Sequence, residues 1–291
     1  MLPYWFLFGL ASALLSTAIP LLQERFKAEG YVLALWNKII MTAALLPLVL
    51  SYGLPTNPVF YIYAALSAVL FAVSDTIYFR AIPVIGSGLL TRLLPASVVI
   101  TFFLWFAFDP SLIKTYANEP LRSGLIGLIF VLFVYCATHV KKCAVSWQGA
   151  RLIWFVIFAA CIGPVLSKLS MAEAPKEHAA IVFIFVQAAF MMLLMSGMFA
   201  IKKTVPISTM IAPTTLKATA AIGIVMIFAV YLKMKSVQLV DNPGFSSMIL
   251  FTDSLWVLLI YRMTGRKETG NIWASLGIVA CAALVVVVKN L

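Results

Sequence analysis

Apolar positions in this chain do not alternate with polar ones. They run together in ten stretches, at 3–22, 31–51, 58–80, 83–107, 119–138, 149–169, 178–201, 210–232, 243–261 and 270–288. Each is close to the ~20 residues that carry an α-helix across a bilayer's hydrocarbon. A backbone in lipid must satisfy its own hydrogen bonds, so stretches of this length predict helices. Short alternating segments, the mark of a membrane β-barrel, are absent. The connections are brief and hold much of the charge, at 23–30, 109–118, 139–151, 172–178 and 262–270.

Composition sharpens this reading. Of 291 residues, 63% are hydrophobic and 11% charged, with a mean hydropathy of +1.05. Soluble domains carry about 45–50% apolar and about 25% charged residues, so too few charges remain here to coat a soluble surface. The net charge of +11 reads as loop charge beside anionic lipid rather than as a nucleic-acid footprint. No glycine-rich loop leads into Lys-Ser or Lys-Thr, so no ATP-driven motor is expected. Cys136, Cys143, Cys161 and Cys281 lack CxxC spacing and read as small core residues. His139 and His178 stand at helix ends, with no HExxH or paired-carboxylate motif, so neither an enzyme nor a metal or other cofactor is expected. The N-terminal run lacks a basic leader and a cleavage pattern, and reads as a retained first helix.

The linker near residue 145 marks the midpoint, and the halves echo each other. Tyr78-Phe-Arg recurs as Tyr231-Leu-Lys, and Gly124 recurs as Gly277, both at an offset of 153. Five helices per half is an odd number, so the second half enters the membrane from the opposite side. The expected fold is all-α and integral to the membrane: ten transmembrane helices as two inverted five-helix repeats, 1–140 and 141–291.

Several segments resemble the ten-helix, EamA-like branch of the drug/metabolite transporter superfamily. They are LALWNKIIMTAALLPLVL (33–50), DTIYFRAIPVIGSGLLTRLLPASVVITFFLW (75–105), LRSGLIGLIFVLF (121–133), VYLKMKSVQLVDNPGFSSMILFTDSLWVLLI (230–260) and IWASLGIVACAALVVVV (272–288). The chain departs from the family where Asp253-Ser254 replaces the usual proline of helix 9, and where the Glu-Arg pair after that helix survives only loosely as Arg266-Lys267-Glu268. The resemblance implies a secondary transporter with helices 1–4 and 6–9 around a central cavity, helices 5 and 10 outside it, and cytoplasmic termini.

Ionisable groups inside a bilayer cost at least ~2.5–3.5 kcal/mol each on insertion scales, so each needs a reason. Lys38, Asp75, Arg92 and Lys217 fall in the membrane half opposite the termini, within ~5–10 Å of the midplane at 1.5 Å per residue, and Asp253 falls at the centre of helix 9. Asp75 shares a helix face with Tyr78, Lys38 follows Trp36 and Asn37, and Asp253 has Trp256 three residues on. Trp36, Asn37, Lys38, Asp75, Tyr78, Arg92, Asp253 and Trp256 are therefore the candidate substrate-binding or coupling residues. Asp75 and Arg92 can pair across consecutive antiparallel helices. Lys38 and Lys217 can instead snorkel to the interface. Asp253 must face the cavity or pair with a base such as Lys38 or Lys217.

Loop charge and resemblance disagree on orientation. Eleven Lys and Arg lie in loops on the side opposite the termini and seven on the terminal side, which places that opposite side in the cytoplasm. The function expected is a secondary active transporter, an exporter of a small polar or amphipathic metabolite across the plasma (bacterial inner) membrane, with the proton as candidate coupling ion. The expected partners are that small-molecule substrate and the lipid bilayer, with no nucleic acid, in a monomer or homodimer. The alternatives are an intramembrane enzyme acting on lipid and a non-transporting scaffold.

Overall fold

The computed structural model describes residues 2–140, 147–202, 205–265 and 270–289, with side chains for all of these except 24, 78–93, 147–150, 152 and 202. The described chain is helical throughout: α1 (Tyr4–Phe26), α2 (Gly30–Tyr52), α3 (Pro58–Leu93), α4 (Ala96–Trp105), α5 (Ser111–Asn118), α6 (Pro120–Thr138), α7 (Trp147–Ala172), α8 (Ala179–Lys202), α9 (Ile207–Met210), α10 (Pro213–Leu239), α11 (Pro243–Leu250), α12 (Asp253–Met263) and α13 (Ile272–Lys289). Among the described residues, nine helical stretches are long and apolar enough to cross a membrane, and the ten-residue α4 is a shorter apolar helix. The chain is a multi-pass membrane protein by this measure. The short α5 and α9 lie in connections.

Two of the expected spans differ from simple rods. The fourth was expected to begin at residue 83 after a turn. Helical hydrogen bonding instead continues to Leu93, and the break falls at Leu94–Pro95. Pro95 has no N–H to give, and the chain passes it on tighter bonds, Ser97 N to Leu94 O at 2.9 Å and Val98 N to Pro95 O at 3.1 Å. Phe71 and Leu94 nonetheless line the same cavity. On a straight helix they would stand about 35 Å apart, so α3 is not a straight rod over this stretch.

The ninth span was expected to be unbroken with Asp253 at its centre. It splits into α11 and α12, and Asp253 is the first residue of the second piece. No proline is needed. The Thr252 hydroxyl donates to Ile249 O at 2.7 Å and the Ser254 hydroxyl to Phe251 O at 3.0 Å. Such side-chain donors compete with the helical ladder, and N–H bonds here reach back only three residues.

Packing partners fix the directions. Ser12 Oγ donates to Ala229 O and Ser236 Oγ to Trp5 O, so α1 and α10 run antiparallel. Ser170 Oγ donates to Phe60 O, and the Phe71 ring lies against Gly163, so α3 and α7 do likewise. Tyr31 Oη donates to Met195 O, pairing α2 with α8. Arg122 donates to Lys289 O, and Gly277 abuts Cys136, pairing α6 with α13.

The closest backbone approach involves the broken spans. A Cβ on Gly244 would lie 2.8 Å from the Cα of Phe102. Asn242 stitches the crossing, accepting from Gly244 N at 2.9 Å and donating to Phe102 O at 3.0 Å. Phe102, Phe130 and Phe245 close around it. Because the obstruction is backbone, Gly244→Ala is expected to force α4 and α11 apart. Overpacking of this kind costs about 1–3 kcal/mol, and a lowered melting temperature of the purified protein in detergent is the check.

Candidate functional site

Two adjoining cavities lie between α3, α7 and α10. The first, about 340 Å³, is lined by Asn37, Lys38, Ser74, Asp75 and Lys233 among others. The second, about 230 Å³, is lined by Ser97, Lys233, Ser247 and Asp253, with Pro164, Leu250 and Phe251 as apolar wall. Phe71, Leu94, Ala160 and Lys233 belong to both. The two helix breaks border this space through Leu94 and Phe251. No described residue of α6 or α13 lines it.

In the first cavity, Lys38 is only 8% exposed. It does not snorkel outward; its Nζ lies 3.7 Å from Asp75 Oδ2. That separation is an ion pair wider than a hydrogen bond. Lys233, from α10, couples electrostatically to both Asp75 and Lys38. Among the described side chains Lys38 is the ion-pair partner of Asp75, and Lys233 lines both cavities, beside this pair in the first and beside Asp253 in the second. Asn37 is buried beside them, and its Oδ1 has no hydrogen-bond partner.

Asp253 opens α12 and lines the second cavity together with Lys233. Among the described residues it makes no ion pair.

These placements revise the sequence reading. Asn37, Lys38 and Asp75 come together on the first cavity, and Asp253 lies on the adjoining one. Trp36 points elsewhere and donates through Nε1 to Met210 O at 3.1 Å, holding α9 against α2. Trp256 is half-buried outside both linings, its Nε1 without a partner. The side chains of Tyr78 and Arg92 lie outside the described residues, so the expected Asp75–Arg92 pair does too; the partner seen for Asp75 is Lys38. Lys217 is exposed near the start of α10 and supplies no counter-charge to Asp253.

Sequence reasoning missed two lysines. Lys233 and Lys168 were counted as loop charges on the terminal side, yet both sit inside helices. Lys168 donates to Val237 O at 3.2 Å and to Val240 O, and lies 5.5 Å from the Trp105 ring centroid. It thereby ties α7 to the end of α10 and to α4. The signal for Lys233 was present in the Tyr231-Leu-Lys echo, but the apolar run was ended at residue 232, one position too early.

A larger hollow, about 620 Å³, lies between α4, α5 and α6. Its walls are chiefly Phe, Val and Ile, and Phe103 and Val131 are largely exposed. With no charged side chain it suits the acyl chains of surrounding lipid, not polar chemistry. No group of three His, Cys, Asp or Glu stands together among the described residues.

No family model and no curated protein matches this chain. A solved structure described as "Crystal structure of protein" superposes with a TM-score of 0.67 at 14% identity, over 98% of this chain and 96% of the other. At that identity the likeness extends to the fold alone.

The Lys38–Asp75 pair predicts coupled losses. Breaking a fully buried pair costs about 3–5 kcal/mol. With the Asp75 side chain 28% exposed, Asp75→Asn and Lys38→Met are each expected to cost less than that, and Asp75→Asn with Lys38→Met less than the sum of the two. Melting temperatures of the single and double variants measure the coupling.

Proposed function

We propose that this chain is a secondary transporter of a small polar or amphipathic metabolite, built as two inverted five-helix halves in the manner of the EamA-like drug/metabolite transporters. The observation that carries the reading is the pair of adjoining cavities, which hold Lys38, Asp75, Lys233 and Asp253 at membrane depth. Charges are expensive there and are kept where they meet a solute or an ion.

The packing supports the inverted halves. Exchanging the first five spans for the second five turns the α1–α10 contact into the α7–α3 contact, and the α3–α8 contact into the α10–α2 contact. The α2–α8, α6–α13 and α4–α11 contacts map onto themselves. Through its antiparallel contact with α3, α7 runs opposite to α1, as inversion requires. Both broken spans, α4 and α11–α12, reach the cavity, a feature of transporters whose sites are built on discontinuous helices. Toward the terminal side Lys168 bonds the end of α10, and Ser246, Ser236 and Trp5 O form a chain with a 2.8 Å bond between the two serines. The plasma membrane is the proposed setting.

The test uses purified protein in liposomes loaded with a desalted extract of small metabolites. Efflux is followed by mass spectrometry against protein-free liposomes. At least one polar solute is expected to leave faster with protein, and Lys38→Met is expected to slow that solute at least tenfold. If no solute leaves faster, the transporter reading is wrong.

A further inference from the structure

The apolar hollow between α4, α5 and α6 holds about 620 Å³, more than either polar cavity. Phe102, Ile126 and Phe130 form its buried floor, and Phe103, Gly127 and Val131 its exposed rim. The short α5 closes one end. The Tyr116 ring lies 5.8 Å from that of Phe102 and 5.6 Å from that of Phe106, and Ser123 Oγ donates to Tyr116 O at 2.5 Å. Leu128, Val131 and Tyr135 continue the exposed face of α6 at helical spacing, so the rim is continuous with the surface this helix turns to lipid.

The walls restrict what can fill this space. A water molecule needs two to four polar partners. The Ser123 hydroxyl on the lining is already donated to α5, and the walls are chiefly Phe, Val and Ile. An empty space would forfeit the dispersion contacts of the atoms around it. No side chain fills it at Gly127, where nothing lies within 4 Å of an added Cβ. Hydrocarbon is what remains, and the bilayer supplies it at the rim.

Phe102 gives the occupant a consequence. Its Cα is what a Cβ on Gly244 would strike, and its ring centroid is 5.3 Å from that of Phe245. Whatever lies in the hollow therefore packs against the residue on which α11 rests.

We infer that the hollow binds one acyl chain of a bilayer phospholipid, and that this chain supports the crossing of α4 with α11. The chain enters past Phe103 and Val131 and lies on Phe102 and Phe130. Since the lining carries no charged side chain, the site selects the chain and not the headgroup. The inference does not depend on the transporter reading.

The experiment uses the full chain in phosphatidylcholine vesicles that contain a small fraction of phosphatidylcholine with a diazirine at the end of one acyl chain. After irradiation, adducts are mapped by proteolysis and mass spectrometry. Labelling is expected on the floor, at Phe102, Ile126 or Phe130, as well as on outward residues such as Leu193 that any surrounding lipid meets. Gly127→Phe puts a ring at the rim and is expected to abolish the floor labelling while leaving Leu193 unchanged. Gly124→Phe lies one turn away, outside the lining and equally unobstructed, and is expected to change neither. Photoreactive phosphatidylglycerol with the same chains is expected to give the same pattern. In delipidated detergent solution, added phosphatidylcholine is expected to raise the melting temperature of the parent chain and of Gly124→Phe more than that of Gly127→Phe. Should Gly127→Phe fail to fold, Gly127→Leu replaces it in both measurements.

The inference is overturned if the floor stays unlabelled, if Gly127→Phe leaves its labelling intact, or if the labelling follows the headgroup. An unlabelled floor together with a chain-to-chain cross-link through α6 overturns it in favour of a second copy of this chain as the occupant.

Discussion

A charge placed in hydrocarbon must be answered by another group, and in this chain the answers come from different helices. Lys38 on α2 meets Asp75 on α3, and Lys233 on α10 lines the cavities that hold Asp75 and Asp253. None of these helices can move far from the others without stranding a charge. The interaction therefore orders the centre of the bundle in a way that apolar packing cannot, because lipid tails are as apolar as leucine and offer helices no hydrophobic reason to associate.

The remaining adhesion is polar and small in scale. Ser12, Ser170 and Ser236 each donate to a carbonyl of a neighbouring helix, Thr101 donates to Cys161 O, and Gln187 bonds Ser67. Interhelical bonds of this kind contribute about 0.6 kcal/mol each. Several together hold α1 to α10, α3 to α7 and α8, and α4 to α7, while leaving each contact weak enough to exchange. Gly244 adds a steric element, since it lets α11 rest on the backbone of α4. The firmest closure and the looser charged cavity thus lie at different depths of the same bundle.

Much of the fold was legible because bilayer thickness imposes one length on every span. Nine of the ten apolar stretches correspond to the nine long helical stretches among the described residues, while the fourth, 83–107, is divided between the end of α3 and the ten-residue α4. Interruptions were harder to see. Pro95 was visible as a breaker, but the split before Asp253 arises from two hydroxyls donating backward, and Thr and Ser occur in intact helices as well. The Gly124–Gly277 echo was a weaker guide than its spacing suggested: Gly277 abuts Cys136, whereas nothing lies within 4 Å of a Cβ built on Gly124. Of the candidate residues, the structure places Asn37, Lys38 and Asp75 on one cavity and Asp253 on the adjoining one. Depth counting failed for Lys233 because a lysine near the end of an apolar run belongs equally well to a loop or to a cavity. Only the neighbours on α2 and α3 decide which.

Lys168 and Lys233 show how that decision comes about. Both lie close to the terminal side, and both have stems long enough to reach water. Lys168 instead finds carbonyls left open where α10 ends, together with the face of Trp105. A helix C-terminus carries partial negative charge, so the ammonium is held there with no carboxylate in hydrogen-bond contact. Lys233, six residues before the end of α10, makes no such bond among the described residues and lines both cavities, beside Lys38 and Asp75 in one and Asp253 in the other. One lysine is satisfied by backbone and ties helices together, whereas the other keeps its charge on the cavity walls.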